Sequence, residues 1–153
     1  MTMNEIRNAL LIGLALVVIS TARAGDPEAV KKDMAGLQGQ WSMVSAVVNG
    51  NPMPDEVRAA ASRVTVGNVV TVMAGTNLLI QANITIDPSK NPKAMDYHMI
   101  GGHSKGYTTL GIYELEGDTL KSCYGPAGTA RPSDFSNKAG DHRTSSIWKR
   151  LKK

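Results

Sequence analysis

The sequence predicts an all-β protein: an eight-stranded up-and-down antiparallel barrel with a short N-terminal helix and one short helix in its first connection. Three observations carry this. The first apolar strand signal opens on a glycine and a tryptophan, Leu37-Gln38-Gly39-Gln40-Trp41, directly after a helical stretch. Leu78, Ile80, Ala82, Ile84 and Ile86 alternate with Leu79, Gln81, Asn83, Thr85 and Asp87, the two-residue period of a strand with one buried face. Short strand-forming runs recur at near-regular spacing, joined mainly by tight turns, which favours an antiparallel meander over a βαβ arrangement. A two-sheet sandwich is the other architecture this pattern allows.

The chain divides into residues 1–24, a signal peptide; 25–36, a helical lead-in; and 37–153, the barrel domain. Arg7 precedes a continuous apolar run from Ala9 to Ile19, and Ala22-Arg23-Ala24 supplies a small-x-small cleavage site. That run falls well short of the roughly 20 residues that span a bilayer, so no transmembrane segment is expected in the mature chain. The expected location is extracytoplasmic, periplasmic or secreted. Cys123 is the one cysteine, so neither an intramolecular disulfide nor a lipid at the cleavage point is available, and stability must come from packing.

Asp26-Pro27-Glu28 reads as an N-cap, a proline at the first helical position and a first-turn acid, launching a helix to about Ala35 that Gly36 or Gly39 ends. Trp41 to Val48 is β-branched and uncharged and reads as a buried strand, broken by Asn49-Gly50-Asn51-Pro52. Pro54 to Ala61 is acid-led and alanine-rich, hence helical. Arg63–Val66 and Val69–Met73 form a hairpin about Gly67-Asn68. After the alternating strand come a proline-punctuated turn at residues 87–93, a strand from Ala94 to Ile100, and a glycine-rich loop from Gly101 to Gly106. Tyr107–Leu115 and Thr119–Tyr124 flank Glu116-Gly117-Asp118 as a second hairpin. A long loop, Gly125 to Arg143, leads to a last strand from Thr144 to Leu151; loops of that length act as lids or are pinned by their own side chains.

The formal charge is +4, falling to +3 once Arg7, Arg23 and Glu5 are removed, and Lys149, Arg150, Lys152 and Lys153 gather much of it in a C-terminal tail. No nucleic-acid motif is present, and one phenylalanine offers little for base stacking, so no nucleic-acid partner is expected. The tail suits weak contact with an anionic envelope component. No catalytic, metal or cofactor site is expected. His142 beside Asp141 has no serine in a nucleophile setting, and His98 and Met99 point to opposite faces of a strand, leaving His103 without partners for a metal. Ile80, Ile84 and Ile86, with Tyr97, Tyr113 and Tyr124 on later strands, are the candidate ligand-lining residues. They form either an aliphatic pocket edged by phenols or a filled core, because an eight-stranded barrel accommodates both.

Several motifs then converge. Leu37-x-Gly39-x-Trp41, Asp87-Pro88-x-Lys90-x-Pro92-Lys93-x-x-Asp96, Gly111-Ile112-Tyr113-Glu114-Leu115-x-Gly117-Asp118-x-Leu120-Lys121-x-Cys123-Tyr124, Arg131-Pro132-x-x-Phe135 and Lys149-Arg150 together resemble the lipocalin-like domain family of uncharacterised function abundant in planctomycete bacteria. The resemblance spans about residues 37–153 and implies a barrel in an exported setting, with no activity attached. Gly39 and Trp41 also resemble the opening signature of lipocalins generally, in which an arginine after the last strand packs over the tryptophan and shuts the barrel's closed end; Arg150 stands at the matching position. The expectation is therefore an exported, non-catalytic barrel that binds a small apolar or amphipathic ligand at an open end gated by the loops at Gly101–Gly106 and Gly125–Arg143. The alternative is an interaction module with a packed barrel that contacts an envelope component through its exterior and basic tail.

Overall fold

Residues 25–152 are described here by a computed structural model; the expected signal peptide, residues 1–24, and Lys153 lie outside the described residues. The elements follow as α1 (Pro27–Leu37), β1 (Gly39–Val48), β2 (Asn51–Pro52), α2 (Asp55–Ala60), β3 (Ala61–Val66), β4 (Val69–Ala74), β5 (Asn77–Asp87), β6 (Lys93–Gly101), β7 (Thr108–Glu116), β8 (Thr119–Tyr124) and β9 (Thr144–Arg150). From β3 to β9 each strand pairs antiparallel with the next, β1 pairs β3, and β1 returns to β9, so eight strands close an up-and-down barrel. The two-residue β2 adds only a flap on the end of β1, Val47 facing Pro52. Among the described residues no helix is long and apolar enough to cross a membrane.

The N-cap works as the sequence demands: Asp26 Oδ1 accepts from the Glu28 backbone N–H at 3.1 Å, and Pro27 occupies the first turn. The helix passes through Gly36 instead of ending there. A Cβ on Gly36 would sit 2.7 Å from Leu115 Cδ2, so this glycine serves close approach to β7, and the chain turns out of the helix at Gln38 and Gly39, whose φ is +100°. α1 thereby lies across one end of the barrel and buries Leu37 in the core.

Asp33, buried on α1, accepts from Tyr113 Oη at 2.7 Å and from Lys93 Nζ at 2.8 Å, tying the helix to β7 and β6. Burial by itself would raise the Asp33 carboxyl; the hydrogen bonds from Lys93 and Tyr113 and the Lys93 charge outweigh it and hold the group below its ordinary 3.8. A carboxylate depressed in the folded state contributes stability that is present above the unfolded value and is lost as pH falls through the folded one. Wild-type protein should therefore lose thermal midpoint as pH drops from about 5 to about 2, and Asp33→Asn should lower the midpoint at neutral pH while flattening that acid limb. An equally steep acid limb in the variant would remove Asp33 from the account.

Bulges in β1 and β5 help decide which side chains enter the barrel. In β1 the register against β9 slips between Met43 and Ser45, so Trp41 and Met43 point inward, Val44 is the extra residue, and Ala46 takes up the inward phase. The run Trp41 to Val48, read from its composition as wholly buried, thus leaves Val44 and Val48 exposed. In β5 the register slips beside Met73, and Leu79, not Leu78, lines the barrel mouth.

The loop from Gly125 to Arg143 is a strap along the outside of the barrel, and only its two ends reach the mouth. Arg131 forks onto Asp96, with Nη2 3.3 Å from Oδ2, and donates to the Gly111 carbonyl at 2.7 Å. Lys121 Nζ stacks over Phe135 at 4.4 Å. Asn137 Nδ2 donates to the Val47 and Arg143 carbonyls at 2.8 and 3.0 Å, and its Oδ1 accepts from Gly50 N–H at 2.7 Å. Cys123, on the outer face of β8, is buried beneath this strap, and burial pushes its thiol up. A gating role for the whole of Gly125–Arg143 is corrected accordingly: the segment's own polar side chains pin its middle to the sheet.

Candidate functional site

The barrel interior is unequal along its length. Toward α1 it is filled: Leu37, Trp41, Met95, Tyr113 and Leu120 are all buried there, and none of them lines the chamber at the other end. Toward the opposite end it opens. A chamber of about 60 Å³ lies among Met43, Ala46, Met53, Arg63, Val72, Ile80, Tyr97, Ser122, Tyr124, Thr144, Ser146 and Trp148. Above it is a mouth of about 500 Å³ that shares Met53, Ile80, Tyr124 and Thr144 with the chamber. Val48, Leu79 and Tyr107 rim that mouth with exposures of 42%, 42% and 61%.

Most of the chamber wall is apolar or self-satisfied. Tyr97 and Tyr124 pack as a tilted pair with ring centroids 5.3 Å apart. Ser122 and Ser146 share a hydrogen bond at 3.0 Å, and Trp148 Nε1 donates to Ser146 Oγ at 2.8 Å. Burial pushes the Tyr124 phenol up to about 12, so it stays protonated and able to donate across the physiological range.

Arg63 is different. Its side chain enters the chamber from β3 with 2% exposure, and its Nε and Nη2 are fully buried without a hydrogen-bond partner. Among the described residues no carboxylate forms an ion pair with it. Thr65, two residues along the same strand face, and Thr109, at the mouth, also carry buried hydroxyls without a partner. Pattern alone assigns the opposite face, because Val64 and Val66 are the apolar positions of this strand; yet Val66 is 70% exposed. Register is the reason: Arg63 faces Trp41 across one ladder and Val72 across the other, both buried core residues, and directly paired residues share a face. The two-residue turn at Gly67-Asn68 was the available signal, since it sets Arg63 against Val72 from the sequence.

Of the candidate ligand-lining residues, the structure brings Ile80, Tyr97 and Tyr124 together around the chamber. Ile84 is packed in the core, Ile86 sits against that core at the edge of an exterior groove, and Tyr113 belongs to the closed end with Asp33. At that closed end the Arg150 guanidinium lies 4.2 Å from the Trp41 ring centroid. Its Nε donates to Asp118 at 3.1 Å, and its terminal nitrogens donate to the Gly36 and Gln38 carbonyls. Trp41 Nε1 donates to the Leu37 carbonyl at 3.1 Å. Gly39, at positive φ, has open space beyond the Arg150 guanidinium 3.6 Å away. Arg150 is therefore committed to the barrel closure, leaving Lys149 and Lys152 as the exposed cations of the described tail.

The histidines do not converge. His98 stands on the outer face of β6, bridging Thr85 and Thr108 at 3.3 and 3.1 Å, while Met99 points inward to the mouth and His103 is exposed on the loop. Among the described residues no group of three His, Cys, Asp or Glu side chains is placed to hold a metal. A comparison with protein-family models, curated proteins and solved structures finds no match to this chain. What the fold establishes is a closed antiparallel barrel compatible with ligand binding of the lipocalin-like kind.

Proposed function

We propose that this protein is an exported, non-catalytic lipocalin-like barrel, akin to the planctomycete lipocalin-like domains, that takes a small apolar or amphipathic molecule into its open end. One observation carries the reading: the interior is filled at the α1 end and hollow at the other, with a chamber of about 60 Å³ beneath a mouth of about 500 Å³. A mouth of that size lies within the roughly 300–1,000 Å³ of small-molecule sites. Its rim exposes Val48, Leu79 and Tyr107 around the opening, an apolar surface that a bound molecule would cover. Each methylene transferred from water into such a site contributes about 0.8 kcal/mol. The reading of residues 1–24 as a signal peptide supports the exported setting. The interaction-module alternative draws less support, because Arg150, one of the four basic residues assigned to the tail, is held at the closed end.

Native mass spectrometry of protein secreted from a bacterial host tests this. The expected result is a discrete excess mass that disappears on denaturation, or uptake of one equivalent of the apolar fluorophore N-phenyl-1-naphthylamine by stripped protein. A clean mass together with no uptake of the fluorophore would rule out a binding barrel and favour the interaction module.

A further inference from the structure

We propose that the molecule taken up is an amphipathic monocarboxylate bound head-first on Arg63, an inference that rests on the binding reading above. A guanidinium does not deprotonate in a protein, so burial cannot neutralise Arg63 as it would a lysine. An uncompensated buried charge is among the costliest features a fold can hold. Here it stands at the wall of a cavity, with two nitrogens unpartnered and no carboxylate of the chain paired with it among the described residues.

The chamber's chemistry selects the head group. One cation and no second basic side chain line it, which suits a single negative charge better than a doubly charged phosphate monoester. The planar fork of a guanidinium matches a planar carboxylate through two parallel hydrogen bonds. Tyr124, kept protonated by burial, adds a neutral donor on the same wall. The chamber is small enough to enclose a carboxylate and its first carbons, and it opens to the mouth past Met53 and Ile80, so the tail runs outward along an apolar path toward Leu79 and Tyr107.

The test titrates the secreted protein with decanoate, 1-decanol and acetate, read by calorimetry and by the fluorescence of Trp148, which lines the chamber. Decanoate should bind about 10- to 100-fold more tightly than decanol, the range expected for hydrogen bonds to a charged group. Acetate should bind far more weakly than decanoate, because it lacks the tail. Arg63→Met, which replaces a buried unpaired charge with an apolar side chain of similar length and so need not cost stability, should abolish the preference while decanol still binds. Arg63→Lys should recover only part of it, because the fork is lost. Equal affinities for acid and alcohol in wild-type protein, or a preference that survives Arg63→Met, overturn the proposal and leave the binding reading standing. Acetate binding as tightly as decanoate overturns it in favour of a small-anion site. Binding of none of the three overturns the binding reading and this proposal together.

Discussion

Trp41→Ala should lower the unfolding free energy by about 3–5 kcal/mol, the range for removing a large buried aromatic side chain. Trp41 is fully buried, and it joins two parts of the closed end to the strand that carries Arg63 into the chamber. Its ring carries the Arg150 guanidinium, its indole N–H satisfies the Leu37 carbonyl in the last turn of α1, and its strand neighbour across the ladder is Arg63. Truncation leaves a cavity that the barrel cannot collapse into, because the surrounding strands are fixed by their ladders. It also strips a helix-end carbonyl of its partner. Against a total stability of about 5–15 kcal/mol, this is about a fifth or more of the whole. Urea unfolding monitored by circular dichroism measures it, and a loss below about 1 kcal/mol would show that the closed end is not a keystone of the fold. Where the variant remains folded, ligand uptake should persist, since the chamber is lined by Trp148 and not by Trp41.

Arg150→Ala should cost about 2–4 kcal/mol, although the residue is partly exposed. The stack on Trp41 accounts for about 0.5–2 kcal/mol of this. The rest comes from the Gly36 and Gln38 carbonyls, which lose charged donors where the helix hands over to β1, and from the contact with Asp118 in the β7–β8 turn. One side chain therefore joins the start and end of the barrel to a hairpin between them. Arg150→Lys keeps the charge but cannot donate in three directions from a plane, and should recover less than half of the loss. Arg58, whose partner Asp55 lies one turn away on an exposed helix, is the control: Arg58→Ala should change stability by less than about 0.5 kcal/mol. Thermal midpoints of the three variants check this, and an unchanged midpoint in Arg150→Ala would show that the stacked geometry contributes nothing.

The legible parts of this protein were those written in local chemistry. The N-cap at Asp26, the hairpins about Gly67-Asn68 and Gly117-Asp118, the short helix after Pro54 and the order of the eight barrel strands all follow from residues adjacent to the features they make. Helix ends were less legible, since Gly36 reads as a stop but serves as a contact surface for Leu115. The candidate site was legible in part. Ile80 follows from the two-residue alternation of its strand, whereas Tyr97, Tyr113 and Tyr124 stand on later strands whose alternation is poor; the fold brings Tyr97 and Tyr124 to the chamber, and Tyr113 is claimed by Asp33 from an element eighty residues earlier in sequence. Arg63 was hidden by the valines beside it: a strand reading Ser-Arg-Val-Thr-Val puts its apolar residues inward unless the pairing is known.

By itself the sequence determined the elements and their succession, because capping, turn formation and two-residue alternation depend on near neighbours. Only the tertiary structure decided the phase of those strands, the course of the long strap and the division of the barrel into a filled end and a hollow one. A single bulged residue inverts every inward position beyond it, and the register that places Arg63 opposite Trp41 is set by a partner strand. The polar side chains of the strap, Arg131 and Asn137, are ordinary loop residues until the sheet supplies Asp96, Gly111 and Val47 to hold them. Whether an interior is packed or open depends on how side chains from eight strands add up in one volume, and no local pattern carries that sum.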